Sequence, residues 1–118
     1  MRQSTLHRRH ELFYEAITVI ERQFANEELS LGVIAREIAT SRRQLQRVFT
    51  EHSTSFRREL QRVRMGRAAE LLRDGSMPVS SVARSVGYRQ PAQFSKAFRR
   101  HHGRPPSELR GPVERAAA

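Results

Sequence analysis

Apolar residues recur at helical spacing from Leu12 onward. Leu12, Phe13, Ala16, Ile17, Ile20 and Phe24 fall on one face, which predicts a first helix stopping near Asn26. Ser30 precedes a second run in which Leu31, Ile34, Ala35 and Ile38 keep the spacing, and its hydroxyl suits an N-cap. After a break at Ala39-Thr40, Ser41 opens a third helix that turns Leu45, Val48 and Phe49 inward. A longer helix is expected from about Ser55 to Arg73, with Phe56, Leu60, Val63, Ala68, Leu71 and Leu72 as its buried stripe and Asp74-Gly75 as its stop. Gly66 inside it costs about 1 kcal/mol relative to alanine, and close packing of another helix is the expected reason for its presence. Pro78 introduces a short helix through VSSVARSV, closed by Gly87. Gln90 to His102 forms the next, with Phe94, Ala97, Phe98 and His101 on one face. Gly103 and Pro105-Pro106 interrupt the pattern, and Ser107 to Arg110 can add one last turn. No stretch alternates as a strand would. The expected fold is all-α, with about seven helices.

The strongest feature of the pattern is an internal repeat. Ile34-Ala35-Arg36-x-Ile38-Ala39 matches Val82-Ala83-Arg84-x-Val86-Gly87, and Leu45-x-x-x-Phe49 matches Phe94-x-x-x-Phe98 with one extra turn residue. Each copy is two short helices joined by a tight turn, and Ala35 or Ala83 lets the second helix pack close on the first. This is the grammar of a helix-turn-helix unit. The predicted organisation is a flexible basic arm at 1–10, a first helix-turn-helix subdomain at 11–54, a linker helix at 55–74, a second subdomain at 75–110, and a disordered tail at 111–118.

Charge adds a partner to this picture. The 118 residues carry 22 Lys+Arg against 12 Asp+Glu, a formal net charge of +10. Such a balance attracts polyanions. Most of the cations are arginine, whose planar fork matches phosphate and guanine edges. With no cysteine, disulfides, thiolate metal sites and cysteine nucleophiles are excluded. No apolar run approaches the ~20 residues a membrane span needs, and Met1 to His10 lacks the apolar segment of a secretory signal. A cytoplasmic protein without enzymatic activity or cofactor is expected.

In a helix-turn-helix unit the second helix enters the major groove. With Leu45, Val48 and Phe49 buried, the first such helix shows Arg43, Gln46, Arg47 and Thr50 outward, flanked by Arg42 and Gln44. Arginine pairs with guanine O6/N7 and glutamine with adenine N6/N7, so this face is equipped to read bases. The second reader helix shows Ala92, Ser95, Lys96 and Arg99, with Gln90 at its start and Gln93 and Arg100 at its margins. Ala92 suits a thymine methyl, Lys96 a guanine or a phosphate, and Arg99 the DNA backbone. Sequence discrimination is therefore expected mainly from the N-terminal reader. The linker helix, at 1.5 Å per residue, is roughly 27 Å long, against ~34 Å between successive major-groove faces. Both readers could thus meet adjacent major grooves of one duplex, with some bending of the DNA, and the chain is expected to act as a monomer.

These residues resemble the DNA-binding domain of the AraC/XylS family of bacterial transcription regulators over about residues 12–110. The first unit resembles it at Leu31, Ile34-Ala35, Ile38-Ala39, Ser41, Leu45 and Phe49, and the linker at Arg64, Ala68 and Leu71-Leu72. The second unit is the more diagnostic, through Val82-Ala83, Val86-Gly87-Tyr88, Gln93-Phe94-Ser95-Lys96-x-Phe98-Arg99, Gly103-x-Pro105-Pro106 and Arg110. The resemblance implies promoter binding through two helix-turn-helix units and activation through contact with RNA polymerase. It also implies that Arg43, Gln46 and Arg47, and Ala92, Gln93 and Lys96, face bases. The chain departs from the family at Ser53, where glycine is usual, which leaves a left-handed cap there unsupported by residue type. It departs also at Glu59 and Leu109, usually aromatic, and at Pro91 and Ala92, where polar residues are common. With no room for an effector-sensing domain, it resembles the short stand-alone members.

The competing reading is a non-specific architectural DNA binder, against which the polar reader face with Gln46 argues. The DNA-repair methyl acceptors that carry a similar domain need a cysteine. His7-x-x-His10 and His101-His102 lack the carboxylate or thiolate support of a metal site, and His52 and His101 are expected to pack at helix ends. RNA binding lacks an aromatic stacking platform.

Overall fold

Two serines start the helices of the first repeat. The Ser30 hydroxyl accepts from the Val33 amide at 3.2 Å and Ser41 from the Gln44 amide at 3.0 Å, fixing the first turns of α2 (Leu31–Glu37) and α3 (Arg42–Glu51). The computed structural model describes residues 2–110; the tail expected at 111–118 lies outside them. In chain order the other elements are α1 (Arg2–Gln23), α4 (Phe56–Asp74), α5 (Val79–Ser85), α6 (Pro91–His102) and a 3₁₀ turn at Pro106–Leu109. The described residues are all-helical, six α-helices in place of about seven.

Both copies of the repeat end their first helix in the same way. Ala39 and Gly87 take positive φ, 56° and 97°. The next residue donates back to the first helix: Thr40 N–H to the Ala35 carbonyl, and Tyr88 N–H to the Ala83 carbonyl, both at 2.9 Å. Ala39 and Gly87 themselves donate to the Arg36 and Arg84 carbonyls. This paired closure satisfies carbonyls that the helix end leaves open and turns the chain sharply. The α3 helix ends likewise. Ser53 has φ 58°, and Thr54 donates to the Phe49 carbonyl at 3.1 Å, so the left-handed cap is present although serine stands there. At the end of α6 Gly103 takes φ 81° and donates to Arg99.

The chain divides into two compact units, Met1–Phe24 with Glu28–Gln61 and Ala25–Glu27 with Arg62–Ala118. In the first, Leu12, Ala16, Val19 and Ile20 of α1 are buried with Ile34, Ala35 and Ile38 and with Leu45, Val48 and Phe49. The α1 helix packs on α2 and α3. Phe13 meets Phe49 edge-on and stacks flat on His52, ring centroids 3.9 Å apart. His52 caps α3, its Nδ1–H donating to the Val48 carbonyl at 2.9 Å, which leaves Nε2 to accept from His10 Nδ1–H at 3.0 Å. Glu59, where the family has an aromatic, lies in the first turn of α4 and accepts from Thr54 Oγ1 at 2.6 Å. A carboxylate is favoured there by the helix dipole.

The second unit is built on Met65, Ala68, Ala69 and Leu72 of α4, Val82, Ala83 and Val86, and Phe94 and Phe98. Arg64 is buried among them. Its guanidinium donates to the Asn26 carbonyl at 3.0 Å and lies 5.5 Å from the centre of the Tyr88 ring. Burial lowers its pKa, and Tyr88 and Glu27 act in the opposite direction. Arg89 pairs with Glu27. These two bonds explain why residues 25–27 belong with the second unit, where the sequence pattern put them in the first subdomain. His102 half-buries its ring against Phe98 and meets the Met65 carbonyl at 3.0 Å. Arg110 donates to the Met77 carbonyl at 2.7 Å.

Four expectations are corrected. Residues 2–10 are not a flexible arm but the first turns of α1. They are held by polar contacts that an apolar count cannot see, Arg8–Glu15 at 3.1 Å and Arg9–Glu51 at 3.2 Å among them. The boundary between units falls inside α4, between Gln61 and Arg62, so residues 55–74 are not a separate body. Gly66 is exposed with nothing within 4 Å of the position its Cβ would take, so no close helix packing holds it. His101 is exposed, and it is His102 that packs.

The backbone generates three stability predictions. Ala39→Gly removes a left-handed strain costing roughly 1–2 kcal/mol, offset in part by added freedom in the unfolded chain, and should raise stability by about 0.5–1 kcal/mol. Gly87→Ala should do the reverse and more, because its Cβ would stand 2.8 Å from Arg64 Nη2. Paired thermal melts check both, and equal shifts of one sign would contradict this account. Gly66→Ala should stabilise by up to about 1 kcal/mol; a lowered melting temperature would mean that the site cannot take a methyl group.

Candidate nucleic-acid interface

Burial of Leu45, Val48 and Phe49 on one side of α3 leaves the opposite side in solvent by the 3.6-residue period alone. Arg42, Arg43, Gln44, Gln46, Arg47 and Thr50 are all exposed there. Arg43 and Arg47 stand one turn apart in one column, and neither has an ion pair among the described residues. Thr40 Oγ1 donates to Gln44 Oε1 at 3.1 Å, which leaves the Gln44 amide protons available. The hydroxyl proton of Thr50 is committed to the Gln46 carbonyl at 3.0 Å. The face thus offers two guanidinium forks and two carboxamides from a helix whose start is fixed by Ser41.

On α6 the buried side is Phe94 and Phe98, packed together with ring centroids 5.7 Å apart. Gln90 is the N-cap residue, without a side-chain cap bond, and Pro91 opens the helix. Gln90, Ala92, Gln93, Lys96 and Arg99 are exposed, whereas Ser95 is half-buried. This face carries fewer bidentate groups than that of α3. Basic residues crowd its last turn, Arg99, Arg100, His101 and His102, where they complement the helix dipole. The His101 imidazole is held below its ordinary pKa by desolvation and then by His102.

Each reader is aimed by a different device. In the first unit α1 braces the end of α3 through Phe13 and His52. In the second, Arg64 fills the space over the turn before α6, against Gly87 and Tyr88. Neither Arg9, which lies beside α3, nor Arg64 was singled out as functional by the sequence pattern. The spacing from Arg9 to Phe13 would have placed Arg9 on the packed face, had the helix been started at residue 2. Among the described residues no three His, Asp or Glu side chains converge as metal ligands, and no helix is long and apolar enough to cross a membrane.

A protein family described as a helix-turn-helix domain matches residues 34–111. The HTH-type transcriptional regulator GlxA of Rhizobium meliloti is 34% identical over 94 residues, 79% of this chain and 28% of that protein. The chain spans between 7% and 34% of the lengths of the curated relatives it matches. Among solved structures, the C-terminal domain of AraT, a response regulator from Geobacillus stearothermophilus, superposes with a TM-score of 0.80 at 32% identity, covering 84% of this chain and 83% of that one. A Chromobacterium violaceum transcriptional regulator of the AraC-type DNA-binding domain proteins gives 0.78 at 30% identity, covering 86% and 90%. With a family model over residues 34–111 and these likenesses in sequence and fold, the chain belongs to the AraC-type helix-turn-helix family of DNA-binding domains.

Proposed function

We propose that this chain binds promoter DNA in a sequence-specific manner and regulates transcription, with α3 and α6 entering major grooves of one duplex. The observation that carries the reading is the exposed Arg43–Gln46–Arg47 face of α3, backed by a buried Leu45–Val48–Phe49 side and fixed at both ends. In this reading Arg43, Gln46 and Arg47 read base edges, with Arg42, Gln44 and Thr50 at the margin. On α6, Ala92, Gln93 and Lys96 face bases, Gln90 and Ser95 lie beside them, and Arg99 grips the backbone. Adjacent-groove binding as a monomer, activation through RNA polymerase contact, and a cytoplasmic setting complete the proposal. In this proposal 11–54 and 75–110 act as the two reading segments, with 55–74 as the linker between them along the chain. The chain binds and does not catalyse, in keeping with relatives that are transcriptional regulators.

Selection of bound sequences from a random duplex library at physiological salt tests this directly. A motif in two blocks about one helical turn apart is the expected result. A single block would reduce α6 to a backbone grip. No enrichment, with binding lost steeply in salt, would favour the architectural alternative.

Arg47→Ala should cost about 1–3 kcal/mol on the selected site and relax preference at one position; an equal loss on scrambled DNA would remove Arg47 from base reading. Arg99→Ala should weaken binding to all sequences alike and flatten the dependence of log K on log salt by about one unit. A changed base preference in that variant would overturn its backbone assignment.

A further inference from the structure

Arg9 and Phe13 lie four residues apart on α1, so the packing of Phe13 also sets where Arg9 stands. Phe13 is fixed by His52 and Phe49 at the end of α3. One turn nearer the N-terminus, Arg9 Nη1 reaches Glu51 Oε2 at 3.2 Å. Arg43, Arg47 and Glu51 are themselves spaced by four, one column down α3. Arg9 therefore lines, with Ser41, Arg43, Gln44 and Arg47, an open groove of about 220 Å³. Three guanidiniums, those of Arg9, Arg43 and Arg47, line this groove, and only Arg9 among them pairs with a carboxylate, that of Glu51. The neighbouring Arg8 is engaged differently, pairing with Glu15 along its own helix at 3.1 Å.

We propose that Arg9 is a further DNA-binding residue, gripping a backbone phosphate of the duplex whose bases α3 reads. The inference rests on that reading of α3. A guanidinium has five N–H donors in a fixed fork. The ion pair with Glu51 engages one terminal nitrogen of that fork, so its other N–H groups can serve phosphate oxygens while Glu51 orients it. A phosphate seated there neutralises the excess positive charge that the groove otherwise carries. Phosphate contacts fix register without carrying sequence information, so Arg9 sets how α3 sits in the groove and leaves base choice to Arg43, Gln46 and Arg47.

The test is equilibrium binding of the whole chain to its selected duplex and to a scrambled one across a salt series. Arg9→Gln, Arg9→Lys, Glu51→Gln and, as control, Arg47→Ala are compared. Arg9→Gln should weaken both duplexes by the same factor, about three- to tenfold, and flatten the salt slope by about one unit. Arg9→Lys should keep the slope. Glu51→Gln keeps a side-chain oxygen that can accept from Arg9 and removes a negative charge beside the phosphate, so it should not weaken binding. An unchanged slope in Arg9→Gln, with Arg47→Ala still losing preference, would overturn the proposal while leaving the α3 reading intact. Equal losses in Arg9→Gln and Glu51→Gln, with matching drops in melting temperature, would make the contact a purely structural ion pair. Loss of preference in neither Arg47→Ala nor any other variant would sink the α3 reading and this inference together.

Discussion

Everything in each helix-turn-helix unit depends on one residue that must leave the right-handed half of backbone space. A seven-residue helix such as α2 or α5 has little hydrogen bonding of its own and must stop abruptly if the next helix is to cross it closely. The left-handed residue permits that stop, and the paired bonds from Thr40 and Tyr88 close the carbonyls it exposes. If Ala39 or Gly87 took an ordinary helical conformation, the small Ala35 or Ala83 would no longer meet the reader helix, and the apolar side of α3 or α6 would lose its partner. Why the two copies use different residues is also physical. Ala39 is exposed, so its methyl group meets only the backbone strain of the conformation. Gly87 is buried under the Arg64 guanidinium, where a methyl group has no room in addition to the strain.

The two units secure the same geometry by unlike means. In the first, hydroxyl caps at Ser30 and Ser41 fix the helix starts, and aromatic packing of Phe13 on His52 fixes the reader's end. In the second, Pro78 and Gln90 supply no side-chain cap, and a buried arginine takes over. Arg64 bonds the Asn26 carbonyl and lies over Tyr88, so one charged group joins α4 to the turn and to a stretch remote in sequence. Taking a guanidinium out of water is costly. Here the cost is met by a carbonyl, an aromatic face and nearby Glu27, which work against the lowering of its pKa by burial.

Apolar periodicity made the helices legible, because each short helix buries one side and the period of burial is the period of the helix. The repeat was legible for the same reason, and so were Ser30, Ser41 and the exposed faces of both readers. What stayed hidden was polar. The first turns of α1 are held by Arg8, Arg9 and His10 contacts, so a count of apolar residues starts the helix too late. Arg64 belongs to the buried side of α4, yet a lone arginine among Leu60, Met65 and Ala68 gives no sign of being inside. Ser53 shows the opposite limit: residue type argued against a left-handed cap, but the amide bonds of Ser53 and Thr54 to α3 outweigh the modest strain. The reader residues were named from expected exposure, donor chemistry and the family resemblance, and the fold agrees with their exposure except at half-buried Ser95.

The length of α1 has a consequence for the electrostatics of α3. Glu51 is the last residue of that helix, where the negative end of the dipole disfavours a carboxylate. It also shares a column with Arg43 and Arg47, so an unneutralised charge would offset part of theirs. Without residues 2–10 in helical form, Arg9 would not reach it. A flexible arm of the same composition would raise general affinity for DNA through charge alone and would do nothing specific for this carboxylate. The helical form converts that diffuse charge into a placed one, offsetting Glu51 and leaving the groove beside α3 net positive. In the proposed mode of binding, the helicity of the N-terminal segment therefore bears on recognition as well as on stability.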